Sequence, residues 1–301
     1  MSVIYDFMKN LSEQIEDIIL QHGTRGMDRL QNFLKPGYCR RAAQMILDNK
    51  GVVIIGTGFP VSGSFESDGP ISAISLYQVL SHLDYEPVFA CAPPISKILS
   101  NRYTTYELPL ASWDESRPVI KKALADLNPG LIISIERPGV TADGRYYNMN
   151  RQDITEFTAK FDLFFQESQC PCIAFGDGGN EIGMGNVIKV LSKLDIIPSV
   201  TTCDELIIAS VSNWGVYGVM AVFCALLNRD LFELIDPEST ANYLMANGCI
   251  DGVTKRREAS EDGFPIEISQ SIIQQLHDLV FMQDTDLLGS AQEHTKKTMN
   301  R

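Results

Sequence analysis

The side chains best suited to chemistry collect in four polar or glycine-rich segments of the sequence. The richest is 176–186, where five glycines surround Asp177, Asn180 and Glu181. Glycine permits positive φ angles and a close approach of the backbone to a ligand. Backbone N–H groups at the start of a following helix favour an anion. We therefore predict that this segment binds a small ligand with acidic groups.

A second segment begins at Gly56 and carries the carboxylates Glu66 and Asp68. It is roughly twice as long as the loops of about 2–6 residues that usually join a strand to a helix. Gly56 and Gly58 match the first two glycines of the dinucleotide-binding motif, but Val61 replaces the third. The Lys-Ser or Lys-Thr of a phosphate-binding P-loop is also missing. The segment therefore predicts a ligand site of another kind.

Glu136 and Arg137 directly follow an apolar run, and Ser212 and Asn213 follow another. Arg137 is suited to a bidentate contact with a carboxylate, although a structural ion pair explains it equally well. Ser212 is favoured as a helix N-cap, and Asn213 as a hydrogen-bonding group. Trp214 is expected to be a wall or core residue.

Histidine is absent from all four segments. The chain has four histidines, which are His22, His82, His277 and His294. Their positions argue against a Ser-His-Asp triad, a Cys-His pair and a histidine-rich zinc centre. The remaining chemistry is acid–base catalysis by carboxyl groups, or an oxygen-ligated divalent cation such as Mg²⁺ or Mn²⁺.

These segments must be positioned by the elements around them. Short apolar runs, typical of strands buried on both faces, occur at 52–55, 88–90, 131–135, 173–175 and 206–209. Helix-length segments occur at 71–83, 119–127, 187–194, 216–227, 237–245 and 269–281. This alternation predicts an α/β fold with a doubly wound, mostly parallel sheet and helices on both faces. Ligands of such sheets bind beyond the carboxyl ends of the strands, which is where the four segments fall.

The chain of 301 residues is expected to form a single α/β domain. Residues 1–49 are predicted to be an N-terminal helical extension in which Asn10 and Glu13 resemble a capping box. Residues 51–263 form the core, and 264–301 a C-terminal helical tail.

Composition excludes several classes of partner. Lys and Arg number 25 and Asp and Glu 38, so the net charge is 25 − 38 = −13. This charge disfavours nucleic acids and anionic membranes.

The uncharged stretch 206–228 is interpreted as a buried strand, a turn and a buried helix. With neither a secretory nor a transit signal and with seven irregularly spaced cysteines, the sequence favours the cytoplasm. A homo-oligomer stays open.

The sequence resembles the D-glutamate cyclase C-terminal domain family over about 51–263. The motifs that carry the resemblance are GTGFP at 56–60, ESDGP at 66–70, ERPG at 136–139, YYNM at 146–149, GDGGNEIGMG at 176–185 and SNWG at 212–215. The resemblance implies a lyase that interconverts D-glutamate and 5-oxo-D-proline plus water. In animals the domain is the C-terminal part of a longer mitochondrial protein.

For that reaction, chemistry suggests roles for the candidate residues. Proton transfer or a metal is assigned to Glu66, Asp68, Asp177 and Glu181, with Asp177 the favoured base. If a metal is present, its ligands are expected to be Asp68, Asp177 and Glu181. Contacts with the substrate, a small acidic metabolite, are assigned to Arg137, Glu136, Gly58, Gly178, Gly179, Asn180 and Asn213. Arg137 would hold the α-carboxylate, and the backbone of Gly178 and Gly179 the oxyanion. No cofactor is required by the chemistry.

Two alternatives use the same residues. One is a divalent-metal-dependent hydrolase of a small phosphate ester or nucleotide. The other is a non-catalytic sensor of an acidic metabolite.

Overall fold

The computed structural model describes residues 2–282, with side chains from residue 8 onward. Its strands are β1 (Val52–Gly56), β2 (Pro60–Val61), β3 (Ser64–Phe65), β4 (Glu86–Cys91), β5 (Thr105–Glu107), β6 (Leu131–Ile135), β7 (Cys172–Gly176), β8 (Glu205–Ile208), β9 (Ser260–Glu261) and β10 (Phe264–Pro265). Residues 283–301 of the predicted C-terminal helical tail lie outside the described residues.

The described chain also contains α-helices and short 3-10 helices. The α-helices are α1 (Ser2–Ile19), α2 (Met27–Leu30), α3 (Tyr38–Asp48), α4 (Pro70–His82), α5 (Ile95–Leu99), α6 (Trp113–Leu127), α7 (Asp162–Glu167), α8 (Ile188–Leu191), α9 (Ser212–Leu227), α10 (Pro237–Ala246) and α11 (Ile266–Phe281). The 3-10 helices are Gln31–Phe33, Thr155–Phe157, Met184–Val187 and Phe232–Leu234.

Six strands form one parallel sheet in the order β5-β4-β1-β6-β7-β8. Strand β1 pairs with β4 on one side and with β6 on the other, so Ile55 lies beside both Phe89 and Ile133. The chain therefore builds outward from β1 in both directions, which opens a crevice at the carboxyl ends of β1 and β6. The predicted doubly wound α/β fold is confirmed.

All five predicted strands are present because their apolar runs are buried on both faces of the sheet. The sixth strand, β5, lies at the sheet edge, is only three residues long and is not fully buried. Such a strand has neither the continuous apolar run of a central strand nor its length. The sequence pattern therefore missed it.

Several helix boundaries differ from the prediction. Helix α1 runs through Asn10, so the predicted capping box does not start a helix. Helix α6 begins at Trp113 because Ser112 and Glu115 form a reciprocal capping box there. The predicted helix 187–194 is only the short α8 with a 3-10 turn before it.

Helix α9 is the central helix of the core, and every residue from Ser212 to Cys224 is buried. It packs against α1, α3, α4 and α11. Its uncharged sequence is explained by these neighbours, which cover it on several sides. None of the helices in the described part of the chain combines the length and the apolarity needed to cross a membrane.

Candidate functional site

Three of the four predicted segments line one cleft of about 940 Å³ at the carboxyl edge of the sheet. The fourth, with Ser212 and Asn213, contacts Asp68 beneath it. The buried part of the cleft is lined by carboxyl groups and one arginine, and its rim includes the exposed side chains of Leu110 and Phe157. The acidic lining residues with buried side chains are Glu66, Glu136, Asp177, Glu181 and Asp262. This size is typical of a small-molecule site.

Asp68 lies beneath this lining at the starts of two helices. Its carboxylate accepts hydrogen bonds from the backbone N–H groups of Gly69, Ser212 and Asn213 at 2.8–2.9 Å. In return, Asn213 Oδ1 accepts from the N–H groups of Gly69 and Ser72 at the start of α4. Asp68 and Asn213 therefore fix the helix starts. Asn213, which we predicted to contact the substrate, does not line the cleft.

Glu136 is the first residue after β6 and has a φ of 46°. A residue with a side chain adopts this left-handed conformation only at an energetic cost, and such strain is often found at functional sites. Ser212 donates its hydroxyl to Glu136 Oε2 at 2.6 Å. Ser212 is therefore the first residue of α9 and a partner of Glu136, and the predicted N-cap role is wrong.

Asp177 and Asp262 share one arginine. Arg25 Nη1 lies 2.6 Å from Asp177 Oδ1 and 2.5 Å from Asp262 Oδ2. Burial raises the pKa of Asp177 well above its usual value, Arg25 opposes the rise, and Asp68 adds to it. Burial also raises the pKa of Asp262, helped by Asp177 and opposed by Arg25. The second oxygen of Asp177 has no hydrogen-bond partner among the described residues.

Glu181 organises the glycine-rich loop. Its Oε1 accepts from the N–H of Gly178 at 2.8 Å, and its Oε2 from the N–H of Gly179 at 2.7 Å. Burial raises the pKa of Glu181, and the contact with Gly179 lowers it. The two backbone N–H groups that we expected at an oxyanion are therefore already occupied by a side chain.

Glu66 enters the cleft from the loop after β3. Burial raises the pKa of its carboxyl group well above the usual value, and the charges of Asp262 and Asp68 raise it further. Arg25 acts in the opposite direction. Glu66 is therefore a carboxyl group that takes up a proton far more readily than an exposed glutamate does.

Three of the acids are close enough to share an ion. One carboxylate oxygen from each of Asp68, Glu136 and Asp177 lies within 4.8 Å of the other two. Glu136 thus occupies the place that the sequence had assigned to Glu181. All three side chains are buried.

Arg137 is not in the cleft lining. Only 3% of the residue is exposed. Its guanidinium donates to the carbonyl oxygens of Gly58 and Ala159 at 2.8 and 2.9 Å. These contacts join the loop after β1 to the chain before α7. The predicted grip of Arg137 on a substrate carboxylate is not supported by this position.

The predicted site residues thus fall into two groups. Those that line the cleft are Glu66, Glu136, Asp177, Asn180 and Glu181. Those that do not are Gly58, Asp68, Arg137, Gly178, Gly179 and Asn213. The sequence missed Arg25 and Asp262 as lining residues. Asp262 was visible only as part of an Asp-Gly turn, and Arg25 gave no signal beyond the glycines around it.

Comparison with known proteins identifies the family of this chain. The model of the family described as "D-glutamate cyclase-like, C-terminal" matches residues 15–277. The chain belongs to this family. The D-glutamate cyclase-like match begins within α1 and includes both Arg25 and Asp262.

A human relative named "D-glutamate cyclase, mitochondrial" is 29% identical over 211 residues. The matched stretch covers 61% of this chain and 34% of the human protein. The chain therefore corresponds to about a third of that relative's length.

Proposed function

We propose that this protein interconverts D-glutamate and 5-oxo-D-proline plus water. The family and the name of the human relative suggest the reaction. The observation that carries the proposal is that Glu66 and Arg25 line the same cleft. One supplies a carboxyl group whose pKa is raised by burial and by the charges of Asp262 and Asp68. The other supplies a cation for a substrate carboxylate.

Ring closure joins the substrate nitrogen to its γ-carboxyl carbon and releases one γ-oxygen as water. The nitrogen loses two protons and the departing oxygen gains two, so no net proton is needed from solvent. We assign Glu66 to carry a proton from the ammonium group to the departing oxygen. This replaces our sequence-based preference for Asp177, because Arg25 already holds Oδ1 of Asp177.

Arg25 takes the role that we predicted for Arg137. The contacts described for its guanidinium both use Nη1, and its side chain is 24% exposed. Its other N–H groups are suited to the α-carboxylate. Asn180 offers a buried Oδ1 that has no partner among the described residues and can accept from the substrate ammonium group.

NMR of the purified protein incubated with D-glutamate tests the proposal. We expect 5-oxoproline to form from the D enantiomer, and D-glutamate to form from 5-oxo-D-proline. Glu66→Gln removes proton exchange with little change in shape, so turnover should fall by about 10² or more. Glu258→Gln, which changes an exposed acid, should match the wild type. Binding without turnover in the wild type would instead support a metabolite sensor.

We also propose that the protein works in a reducing compartment such as the cytoplasm. All seven cysteines are free thiols, and five of them are buried. Alkylation of the protein in intact cells, followed by mass spectrometry, would check this. The buried thiols react only when the chain is unfolded, and every thiol should then carry the reagent.

A further inference from the structure

We propose that Asp68, Glu136 and Asp177 bind one divalent cation of the Mg²⁺ or Mn²⁺ class. This inference deepens the proposed function because it concerns the same cleft. Cation binding can be measured without substrate, however, so the two proposals can fail separately.

The spacing of the three acids fits such an ion. An octahedral ion with bonds of about 2.1 Å needs ligand oxygens roughly 3.0–4.2 Å apart. The three carboxylate oxygens lie within 4.8 Å of one another, which is close to this range. All the donors are hard oxygens, which favour Mg²⁺ or Mn²⁺ over the nitrogen and sulfur sites of zinc.

A second observation points to a missing partner. Asp177 is completely buried, and its Oδ2 has no hydrogen-bond partner among the described residues. A buried carboxylate oxygen without a partner is costly. Arg25 satisfies the other oxygen at 2.6 Å, so the side chain is held in place while Oδ2 remains available to an ion.

The charge around the cleft also favours a cation. Six buried carboxyl groups are gathered in or beneath it, and the basic residues in its lining are Arg25 and Lys255. The six carboxyl groups belong to Glu66, Asp68, Glu136, Asp177, Glu181 and Asp262. An anionic substrate that entered without additional positive charge would be repelled. A divalent ion bound to three protein oxygens reduces this repulsion and leaves coordination positions for water and substrate.

Asp68 is already oriented for this role by three backbone N–H groups. Glu136 is held by Ser212. When bound, the ion would polarise the γ-carboxyl group of the substrate. Arg25 would still hold the α-carboxylate, and Glu66 would still move the proton.

Electron paramagnetic resonance with Mn²⁺ alone tests the site, because bound Mn²⁺ disappears from the signal of the free aqueous ion. We expect the full chain to remove one equivalent, and Mg²⁺ to compete for it. Asp177→Asn should weaken Mn²⁺ binding at least tenfold. Glu136→Gln should do the same while leaving the Arg25 ion pairs intact. Circular dichroism and thermal melts would verify that both variants are folded.

Glu66→Gln is the matched control, because it removes a carboxylate from the same cleft but not from the proposed ligand set. Its Mn²⁺ affinity should stay within threefold of the wild type. The inference is overturned if the wild type leaves the free Mn²⁺ signal unchanged at millimolar concentrations, or if Glu66→Gln and Glu136→Gln lose equal affinity. Mn²⁺ binding without formation of 5-oxoproline would refute the proposed reaction only. EDTA-resistant turnover without Mn²⁺ binding would refute the cation only.

Discussion

Glu66 reaches the cleft across the backbone of Gly252. A Cβ atom placed on Gly252 would lie 1.9 Å from Oε2 of Glu66 and 2.9 Å from its Cδ. Gly252 is not among the glycines with a left-handed φ. The glycine is therefore required by the approach of this side chain and not by the shape of the turn.

Gly252→Ala should displace the Glu66 carboxyl group and leave the fold intact. We expect turnover of D-glutamate to fall at least tenfold, because a shift of about 1 Å at a reacting group can cost 10² in rate. The double variant with Glu66→Gln should be less than twofold slower than Glu66→Gln alone. Additive losses in this cycle would mean that Gly252 acts through something other than Glu66.

Arg25 is expected to contribute to both substrate binding and stability. Arg25→Ala removes the cation proposed to hold the α-carboxylate, so steady-state kinetics should give a KM for D-glutamate at least tenfold higher. It also leaves Asp177 and Asp262 without their shared guanidinium. Removing one partner of a buried pair costs roughly 3–5 kcal/mol, and somewhat less is expected here because Arg25 is 24% exposed. Arg29→Ala removes an exposed arginine from the next helix and should change neither quantity. A normal KM in Arg25→Ala would place the substrate carboxylate elsewhere.

Arg137 is expected to matter for stability and not for substrate affinity. Lysine cannot reproduce the planar fork that reaches Gly58 and Ala159 together. Urea denaturation of Arg137→Lys should give a free energy of unfolding lower by about 1–3 kcal/mol, while KM stays within twofold. A large rise in KM in a variant of wild-type stability would restore the carboxylate-binding role that the sequence suggested.

Glu16 is expected to make the stability of the protein fall as pH rises. Burial raises the pKa of Glu16 from 4.5 to about 7, against hydrogen bonds from the N–H groups of Gly37 and Cys39. Between these pH values the folded chain keeps a proton that the unfolded chain has released. The contribution of Glu16 to the free energy of unfolding therefore decreases from about pH 4.5 to about pH 7 and is constant above.

Glu16→Gln should remove this dependence. Relative to the wild type, the variant should gain on the order of 3 kcal/mol between pH 5 and pH 8, at 1.36 kcal/mol per pKa unit. Denaturant unfolding at several pH values measures the difference. Glu13→Gln, on the exposed face of the same helix, should follow the wild-type curve. Parallel curves for wild type and Glu16→Gln would show that Glu16 is ionised throughout.

The sheet was predictable because central parallel strands need continuous apolar runs, and the chain order then places their loops at one edge. The side-chain partners within that edge were not predictable. Arg25 and Asp177 are 152 residues apart, and no local pattern relates them. Nor does sequence indicate whether Arg137 faces a ligand or two carbonyl oxygens, because both arrangements need the same planar group.

Glu181 illustrates a second limit. The glycines of its loop correctly indicated a backbone that turns sharply beside the cleft, and Gly179 and Gly183 have left-handed φ angles. A loop of this shape presents N–H groups that need an acceptor. The sequence suggested a ligand for that role, whereas the nearest carboxylate of the loop itself fills it.

The reciprocal hydrogen bonds of Asp68 and Asn213 have a consequence for local unfolding. Each side chain satisfies amide groups at the start of a helix other than its own, so neither helix start can open alone. The amide hydrogens of Gly69, Ser72 and Asn213 should therefore exchange with deuterium together, and at the slow rate of the core. A cation bound by Asp68 would meet an acid that is already immobile, and its binding would carry no entropy loss for ordering Asp68.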